Sequence, residues 1–363
     1  MSGTATSSRS SFPSDRLLQV TARPDLGAGG PGAGTGEPEV IIVGSASRDL
    51  AEDDPRGWRL GGGVTYAALA SARLGIRTAA VIGLDSPAFE SRELELLAGA
   101  GVALLRVHLP NGPIFRNVES PGGRVQTCVD PGCPLPLVAM PGAWRAARAW
   151  MLAPVAGELD DAWADPIPAE AFVALGWQGL LRRLRAGARV TRRAPAAGRL
   201  VRRADVVSLS EHDVAPGTPL EDLAPFLHPG AWLVVTEGPA GGHLADVVAG
   251  GLGRVVSYPP IAAGRVVDAT GAGDTFLAAL VASIVGGTMG GAGVRAGGGM
   301  AAGPPGPMPD LRFAAAAASF TVEGSGLEAV PDRAAVLRRL AVQVGQSGPE
   351  SPSSPTYSAK APR

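Results

Sequence analysis

Hydrophobic residues fall into two alternating kinds of run along the chain, and together they predict an α/β domain. The run Val40–Val43 is short, β-branched and closed by Gly44, which is typical of a buried strand. The next stretch, GGGVTYAALASARLG at 61–75, has helical spacing and ends in a glycine stop signal. Residues 77–85, RTAAVIGLD, predict a second strand. This order is typical of a parallel sheet covered by helices.

Later runs repeat the same order. Further strands are predicted in AWMLAP, AFVALG, ADVVSLS and AWLVVTEG (149–154, 171–176, 204–210 and 231–238), and the C-terminal third is mostly helical in pattern. The stretch within about 103–130 differs, because apolar and polar residues alternate around the turn signals NG and PGG. We expect it to form antiparallel strands that, with strands within about 46–60, make a small lid.

Composition narrows the folded part of the chain. Among 363 residues there are 51 glycines and 33 prolines, and much of this excess lies in 1–37, 286–309 and 346–363. Such segments bury too little apolar surface to offset the entropy of ordering, so we expect them to be disordered, with 286–309 a surface insertion. The predicted domain is therefore 38–345.

Charge and targeting signals exclude several classes of partner. The net charge is −1, so no overall field attracts nucleic acid or an anionic membrane, and we interpret the arginines between 182 and 203 as a solvated face. The apolar run Phe276–Val285 is too short to span a bilayer. The N-terminus has no apolar signal-peptide region, which favours a cytoplasmic protein.

Candidate chemistry is concentrated in VVDATGAGDTFLAALVASIV, residues 266–285. Gly271 and Gly273 allow a tight turn that gathers N–H groups at a helix start, which suits an anion such as a phosphoryl group in transfer. Asp274 follows directly and could accept a proton from a hydroxyl. The alternative is a glycine turn and a cap before a core helix. Two known patterns fit worse, because Phe276 occupies the third glycine of a dinucleotide fingerprint and no Walker lysine follows.

Taken together, the segments resemble the ribokinase, or PfkB, family of carbohydrate and nucleoside kinases. The two family signatures are similar to GGGVTYAALASARLG and DATGAGDTFLAAL, in the right order and about two hundred residues apart. Shorter similarities lie in VGSASRDL, VIGLD and VVTEGPAGG (43–50, 81–85 and 234–242), so the resemblance covers nearly all of 39–342. It implies a ribokinase-like three-layer α/β/α sandwich with a mainly parallel sheet and a small antiparallel β lid.

The resemblance also implies site residues. Asp274 matches the catalytic base, and the anion hole matches Gly271, Ala272 and Gly273. The substrate site corresponds to Asp49, Gly61, Gly62, Tyr66, Gln178 and Arg182, and the nucleotide site to Ser210, Thr236, Gly238, Gly241 and Thr270. ATP with Mg²⁺ is the implied cofactor, with Asp213 a candidate magnesium ligand; Asp268 matches a position that in some members helps to bind a monovalent cation such as K⁺.

Departures from the family pattern bear on the substrate. An Asn-x-x-Glu motif near the phosphates is replaced by Ser210 and Asp213, and Asp213 is equally well explained as an exposed helix-start carboxylate. Tyr66 replaces an asparagine that contacts sugar in ribokinase-like members. Relatives of plant inositol kinases also lack that asparagine, and they carry a glutamine and arginine spaced as Gln178 and Arg182 are. This favours an inositol-like polyol or an unusual sugar.

The predicted function is therefore an ATP-dependent kinase that phosphorylates a hydroxyl of a small sugar or polyol. Two alternatives stay open: a ribose-, fructose- or adenosine-type kinase of the same family, and a catalytically weak ligand-sensing or interaction protein. The 286–309 insertion could also cover ATP, in which case its deletion would change the Michaelis constant for ATP. Family members with β lids pair through them, so a homodimer is compatible with the sequence.

Overall fold

The computed structural model describes residues 37–118, 125–286 and 308–346, with side chains up to residue 343. The predicted disordered segments 1–37, 286–309 and 346–363 lie outside the described residues, apart from their boundary positions.

The described residues form strands and helices that follow the hydrophobic runs closely. The strands are β1 (Val40–Ser45), β2 (Ser47–Leu50), β3 (Trp58–Gly61), β4 (Thr78–Leu84), β5 (Ala103–His108), β6 (Ile114–Val118), β7 (Val125–Asp130), β8 (Ala149–Leu152), β9 (Phe172–Gly176), β10 (Arg182–Arg183), β11 (Ala188–Arg189), β12 (Thr191–Arg192), β13 (Val206–Ser210), β14 (Trp232–Thr236), β15 (Gly242–Val248) and β16 (Gly251–Tyr258). The helices are α1 (Gly63–Arg73), α2 (Ser86–Phe89), α3 (Arg92–Gly99), α4 (Arg199–Arg203), α5 (Ala272–Val285), α6 (Leu311–Thr321) and α7 (Arg333–Gln346). Of these helices, none is long and apolar enough to cross a membrane.

The main sheet has nine strands in the order β16-β15-β14-β13-β9-β8-β1-β4-β5. Every pairing from β14 to β5 is parallel, and β15 and β16 extend the sheet in antiparallel fashion. The expectation of a mainly parallel sheet is thus confirmed. The antiparallel β15–β16 edge was not predicted from the sequence.

Both faces of the sheet are buried at its inner parallel strands, which explains why β1, β4, β8, β9, β13 and β14 are continuous apolar runs. In β1, Val40 and Ile42 face one hydrophobic cluster while Ile41 and Val43 face the other. The first cluster contains the long helices α1, α5 and α6. The second is closed by the short helix α4, by 3-10 turns and by loops that carry buried tryptophans such as Trp144 and Trp163. Two layers therefore enclose one sheet, as the three-layer expectation required.

The lid is a five-stranded sheet in the order β11-β7-β6-β2-β3. Its pairings are antiparallel except for β2 with β6, which run parallel. The expectation that the alternating stretch is antiparallel throughout was wrong for Ala103–His108, which pairs in parallel with β4 at the edge of the main sheet. Alternating burial fits both a half-exposed edge strand and a lid strand, so the pattern alone did not separate them.

Candidate active site

The residues predicted for the site gather at one edge of the main sheet. β1, β9, β13 and β14 are parallel, and the segments that carry Asp49, Gln178, Asp213 and Gly238 follow the carboxyl ends of these strands in turn. In open α/β sheets this is the edge where ligands bind. The order of strands in the sheet thus brings together residues that lie far apart in the chain.

Helix α5 begins directly after a glycine whose backbone is in the left-handed conformation. Gly271 is the N-cap with φ of 78°, and its carbonyl accepts the first helical bond from Thr275 N at 2.9 Å. Just upstream, the Asp268 Oδ1 atom accepts bonds from Thr270 N at 2.9 Å and Thr270 Oγ1 at 2.6 Å, which shapes the approach to the turn. The first N–H groups of a helix have no intrahelical partner and carry its positive dipole end. Ala272 N already donates to the Ala269 carbonyl oxygen at 3.3 Å, so the surface suited to an anion is formed by the N–H groups of Gly271 and Gly273.

The start of α1 packs directly against the start of α5. A Cβ added to Gly63 would lie 2.6 Å from Asp274 Oδ1, and a Cβ on Gly271 would fall within the ring of Tyr66. Tyr66 is only 2% exposed. The residue predicted to contact substrate is thus a buried wall beneath the anion surface, and glycine is needed at 63 and 271 because of these close approaches.

The Asp274 carboxyl lies in a desolvated environment between charges of opposite sign. Burial is the largest influence and raises its pKa to about 6; the nearby Asp213 carboxylate acts in the same direction, while the Arg182 guanidinium opposes it. A carboxylate with a pKa near 6 can accept a proton efficiently at neutral pH. This is the property expected of a general base.

Asp213 is held by two partners on different elements. Its Oδ1 accepts a bond from Gln178 Nε2 at 3.2 Å, and its Oδ2 accepts one from Ser210 N at 2.8 Å within a capping box. Both interpretations of Asp213 therefore have support, since it caps a 3-10 turn and also faces Asp274. The described residues contain no group of three or more histidine, cysteine, aspartate or glutamate side chains that could hold a metal ion by themselves.

The residues predicted to bind substrate include Asp49 on β2, Gly61 on β3 and Gly62 just before α1. Ser47 Oγ donates to Asp49 Oδ1 at 3.1 Å, and Ser47 pairs with Gly61 across β2 and β3. A Cβ on Gly61 would collide with the Asp49 carboxylate. Gly62 has φ of 96° and approaches the Ser45 carbonyl, where a Cβ would be 2.7 Å from the oxygen. These glycines let the lid strands and the Asp49 carboxylate reach the end of β1.

The predicted nucleotide side follows β14. Thr236 ends that strand, Gly238 has φ of 54°, and Gly241 has φ of 93° where a Cβ would strike the Tyr258 carbonyl. Tyr258 in turn stacks on Phe276 of α5, with ring centroids 5.5 Å apart. The glycine turn and the anion surface are therefore braced through one aromatic pair.

Two further groups were missed by reasoning from sequence. Arg48 donates to Asp85 Oδ2 from Nε at 2.9 Å and from Nη2 at 2.7 Å, which ties the lid to the residue that ends VIGLD. Glu158 is 4% exposed and accepts bonds from three backbone N–H groups. The Gly-x-Asp resemblance was a signal for Asp85, whereas Glu158 lies in the acidic stretch GELDD, which is typical of a surface loop.

A cavity of about 590 Å³ lies at the base of the lid, away from these residues. Its walls include Asp54, Arg59, Glu93 and Glu328. Arg56 pairs with both Asp54 and Glu93, so the charges beside this cavity are largely compensated. None of the predicted site residues lines it.

Residues 191–333 match the model of the pfkB family of carbohydrate kinases. This range contains the Ser210–Asp213 turn, the glycine turn after β14 and the start of α5. No curated protein sequence matches the chain.

Solved structures of several kinases share the fold. Arabidopsis thaliana ribokinase, solved with ribose and ATP, is 22% identical with a TM-score of 0.57, over 84% of this chain and 99% of that one. A pyrophosphate-dependent kinase of the ribokinase family, solved with a pyrophosphate analog and myo-inositol, is 18% identical with a TM-score of 0.58, over 84% and 99%. The nucleoside kinase of Methanocaldococcus jannaschii is 17% identical with a TM-score of 0.56, over 85% and 99%. At these identities the likeness establishes the fold alone. The match over residues 191–333 and the shared fold together confirm the resemblance of this chain to the ribokinase, or PfkB, family of carbohydrate kinases.

Proposed function

We propose that the chain transfers the terminal phosphoryl group of ATP to a hydroxyl of a small sugar or polyol. The observation that carries this proposal is the Asp274 carboxyl, whose pKa is raised to about 6 at the first turn of α5. In the proposed reaction Asp274 takes the proton of the acceptor hydroxyl while the hydroxyl oxygen bonds to phosphorus and ADP leaves. During this transfer the N–H groups of Gly271 and Gly273 stabilise the charge on the transferring oxygens, and Ala272, whose N–H donates to the Ala269 carbonyl, holds the turn between them.

The remaining residues bind and orient. Asp49, Gly61 and Gly62 line the proposed acceptor site, with Gln178 and Arg182 at its far side and Tyr66 beneath the adjoining anion surface at Gly271. On the nucleotide side we assign Ser210, Thr236, Gly238, Gly241 and Thr270. Mg²⁺, when bound with ATP, supplies neutralisation of phosphate charge, and Asp213 is the carboxylate available to it. Asp268, already joined to Thr270, is the proposed neighbour of a monovalent cation such as K⁺.

Among acceptors we favour an inositol-like cyclic polyol or an unusual sugar. Tyr66 stands where ribokinase-like members have a sugar-contacting asparagine, so this chain lacks the hydrogen bonds that such an amide would make to ribose. Gln178 is fixed by Asp213, so its amide orientation is defined. Solved relatives of this fold have been crystallised with ribose and with myo-inositol, and both acceptors therefore belong in the test.

The test is a screen of the purified chain with ATP and Mg²⁺ against inositols, pentoses, hexoses and nucleosides, read by phosphorylated product. Asp274→Asn is expected to reduce kcat by about 100-fold to 10,000-fold, because a positioned general base contributes that much. Asp222→Asn, the same change at an exposed position, should leave kcat unaltered.

Each other outcome has a defined meaning. Product from ribose, fructose or adenosine alone would replace the polyol assignment with the alternative kinase. Ligand binding without product for any acceptor would favour a sensing protein. Near-normal turnover in Asp274→Asn would remove Asp274 as the base.

A further inference from the structure

The turn that follows β8, residues 153–158, contacts two of the segments that carry the proposed site and also the lid. A Cβ on Gly63 would lie 3.2 Å from the Ala153 carbonyl oxygen, and Gly63 itself abuts Asp274. The Pro154 carbonyl lies against Gly179, just before Arg182. Consecutive carbonyl groups of one turn thus touch the start of α1 and the segment between Gln178 and Arg182.

The third carbonyl of the turn binds Arg182 directly. Arg182 Nη1 donates to the Val155 carbonyl oxygen at 3.3 Å, and its guanidinium lies 5.9 Å from the ring centre of Phe115 on the lid. The Val155 side chain packs with Phe115 and the buried Cys128 of the lid. The position of this turn therefore decides where Arg182 stands relative to Asp274 and to the lid.

One buried carboxylate holds the turn in place. Glu158 Oε1 accepts from Ser45 N at 2.8 Å, and Oε2 accepts from Ala156 N at 2.8 Å; Val155 N lies 3.1 to 3.2 Å from both oxygens. Ser45 is the last residue of β1, so the carboxylate joins the end of one strand to the loop after its neighbour.

This arrangement is costly for a structural loop. No ion pair to Glu158 occurs within the described ranges, and burial raises the pKa of its carboxyl. Burying a charge that is compensated only by peptide N–H groups costs stability, and groups of this kind cluster at functional sites. A carboxylate has two oxygen atoms, and it can therefore accept hydrogen bonds from three converging N–H groups at once.

We propose that Glu158 is a positioning residue of this site, whose buried carboxylate fixes the 153–158 turn and through it the places of Arg182 and Asp274. This inference rests on the proposed kinase function, although its first measurement below does not require turnover. We assign Glu158 no contact with the acceptor substrate or with ATP. It acts through the Val155 and Ala153 carbonyl groups.

The test compares Glu158→Gln, Arg182→Gln and the double variant. An amide presents two donors where Val155 N and Ala156 N also donate, so Glu158→Gln should loosen the turn while conserving side-chain volume. Coupled residues give non-additive changes in unfolding free energy, and we expect the double variant to lose less stability than the sum of the single variants. Urea unfolding measures this without any substrate. Additive losses would overturn the proposal.

Turnover gives the second measurement. We expect kcat to fall about 100-fold in Glu158→Gln with the Michaelis constant for ATP unchanged, since a displacement of about 1 Å in a catalytic group costs that much. Glu170→Gln, at an exposed position, is the matched control. Unaltered kcat in Glu158→Gln beside an active wild type would overturn the positioning role alone, whereas an inactive wild type would overturn the proposed function.

A second variant guards against loss of folding. Glu158→Asp retains the charge but is one methylene too short to reach both Ser45 N and Ala156 N. It should reproduce the kcat loss of Glu158→Gln, and wild-type kcat in Glu158→Asp would contradict the role of geometry. Failure of both variants to fold would assign Glu158 to stability and overturn the proposal.

Discussion

Individual residues of this site are constrained mainly by what lies next to them. Gly63 is glycine because the Asp274 carboxylate occupies the space of a side chain, and Gly271 is glycine because of both its positive φ and the Tyr66 ring. Asp274 has a raised pKa because burial and Asp213 outweigh Arg182. The reactivity proposed for this carboxylate is therefore a property of its neighbours.

The pH dependence of turnover tests that environment. Asp274 must be deprotonated to act as a base, so kcat should fall as the pH drops below about 6, where its carboxyl protonates. The charged groups that face it are Arg182, which lowers its pKa, and Asp213, which raises it. Arg182→Gln should move this limb to higher pH and Asp213→Asn should move it to lower pH. Profiles of kcat that shift in the same direction in both variants would contradict the assignment.

Alanine substitutions at two neighbouring glycines, Gly271 and Gly273, should have different effects on stability. Gly271→Ala should lower the free energy of unfolding by about 2–5 kcal/mol, since the left-handed conformation costs about 1–2 kcal/mol and overpacking against Tyr66 costs about 1–3 kcal/mol. A Cβ on Gly273 would meet nothing within 4 Å, and this residue is helical. Gly273→Ala should therefore be neutral or stabilising by up to about 1 kcal/mol. Urea unfolding of the pair provides the comparison, and equal losses in both would be inconsistent with the contact.

At the scale of elements, the site depends on junctions between segments. The starts of α1 and α5 meet at Gly63 and Asp274, and the 3-10 turn that contains Asp213 meets Gln178. The lid is attached where Arg48 of β2 reaches Asp85, whose other oxygen caps α2 through Ala88 N. Asp85 thereby holds the strand that carries Asp49.

Loss of the Arg48–Asp85 contact should change the Michaelis constant for the acceptor substrate more than that for ATP. Arg48→Met leaves a charge on Asp85, which is 5% exposed, without this partner, so we expect the free energy of unfolding to fall by about 2 kcal/mol. Because Asp49 follows Arg48, the Michaelis constant for the acceptor should rise about ten-fold while that for ATP stays constant. Arg59→Met removes an ion pair to the exposed Asp53, which solvent screens, and should leave stability nearly unchanged. Steady-state kinetics with both substrates provides the test. Equal changes in the Michaelis constants for the acceptor and for ATP would contradict the prediction.

For the molecule as a whole, two buried carboxyl groups lie near the sheet edge that carries the proposed site, and a third, Asp205, lies before β13 at the opposite edge. Asp274 and Glu158 both have carboxyl pKa values raised by burial, and the described remainder of the core is largely apolar. Groups of this kind are expected where function opposes stability. A homodimer formed through the lid remains a prediction.

The stability of the domain should report the burial of Asp274. A carboxyl whose pKa rises from 3.8 to about 6 on folding favours the folded state below pH 4, and this contribution is lost as the pH rises through 6. At pH 8 the wild type therefore bears the cost of a desolvated charge that Asp274→Asn lacks. We expect the Tm of Asp274→Asn to equal or exceed that of wild type at pH 8, with the difference shrinking towards pH 4. Calorimetry would refute this by a clearly lower Tm for the variant at pH 8.

The sequence predicted some levels of this organisation better than others. The strand Val40–Ser45 and the helix ending before Gly75 were readable because apolar runs and a glycine stop are local signals. Ala103–His108 was misassigned because an edge strand and a lid strand alternate alike. Glu158 was missed because nothing in GELDD distinguishes a buried acceptor of peptide bonds from a surface acid.

By itself, the sequence determined the start of α5: Gly271 allows the left-handed turn, the apolar run after Asp274 requires a buried helix, and the motif resembles a known signature. Only the tertiary structure decided what that start can do. The contact of Asp274 with Gly63, the pKa near 6 and the bonds of Glu158 to Ser45 all join residues more than a hundred positions apart or depend on exclusion of water. Backbone conformation is encoded by neighbours in the chain, whereas proximity and desolvation exist only once the sheet has assembled.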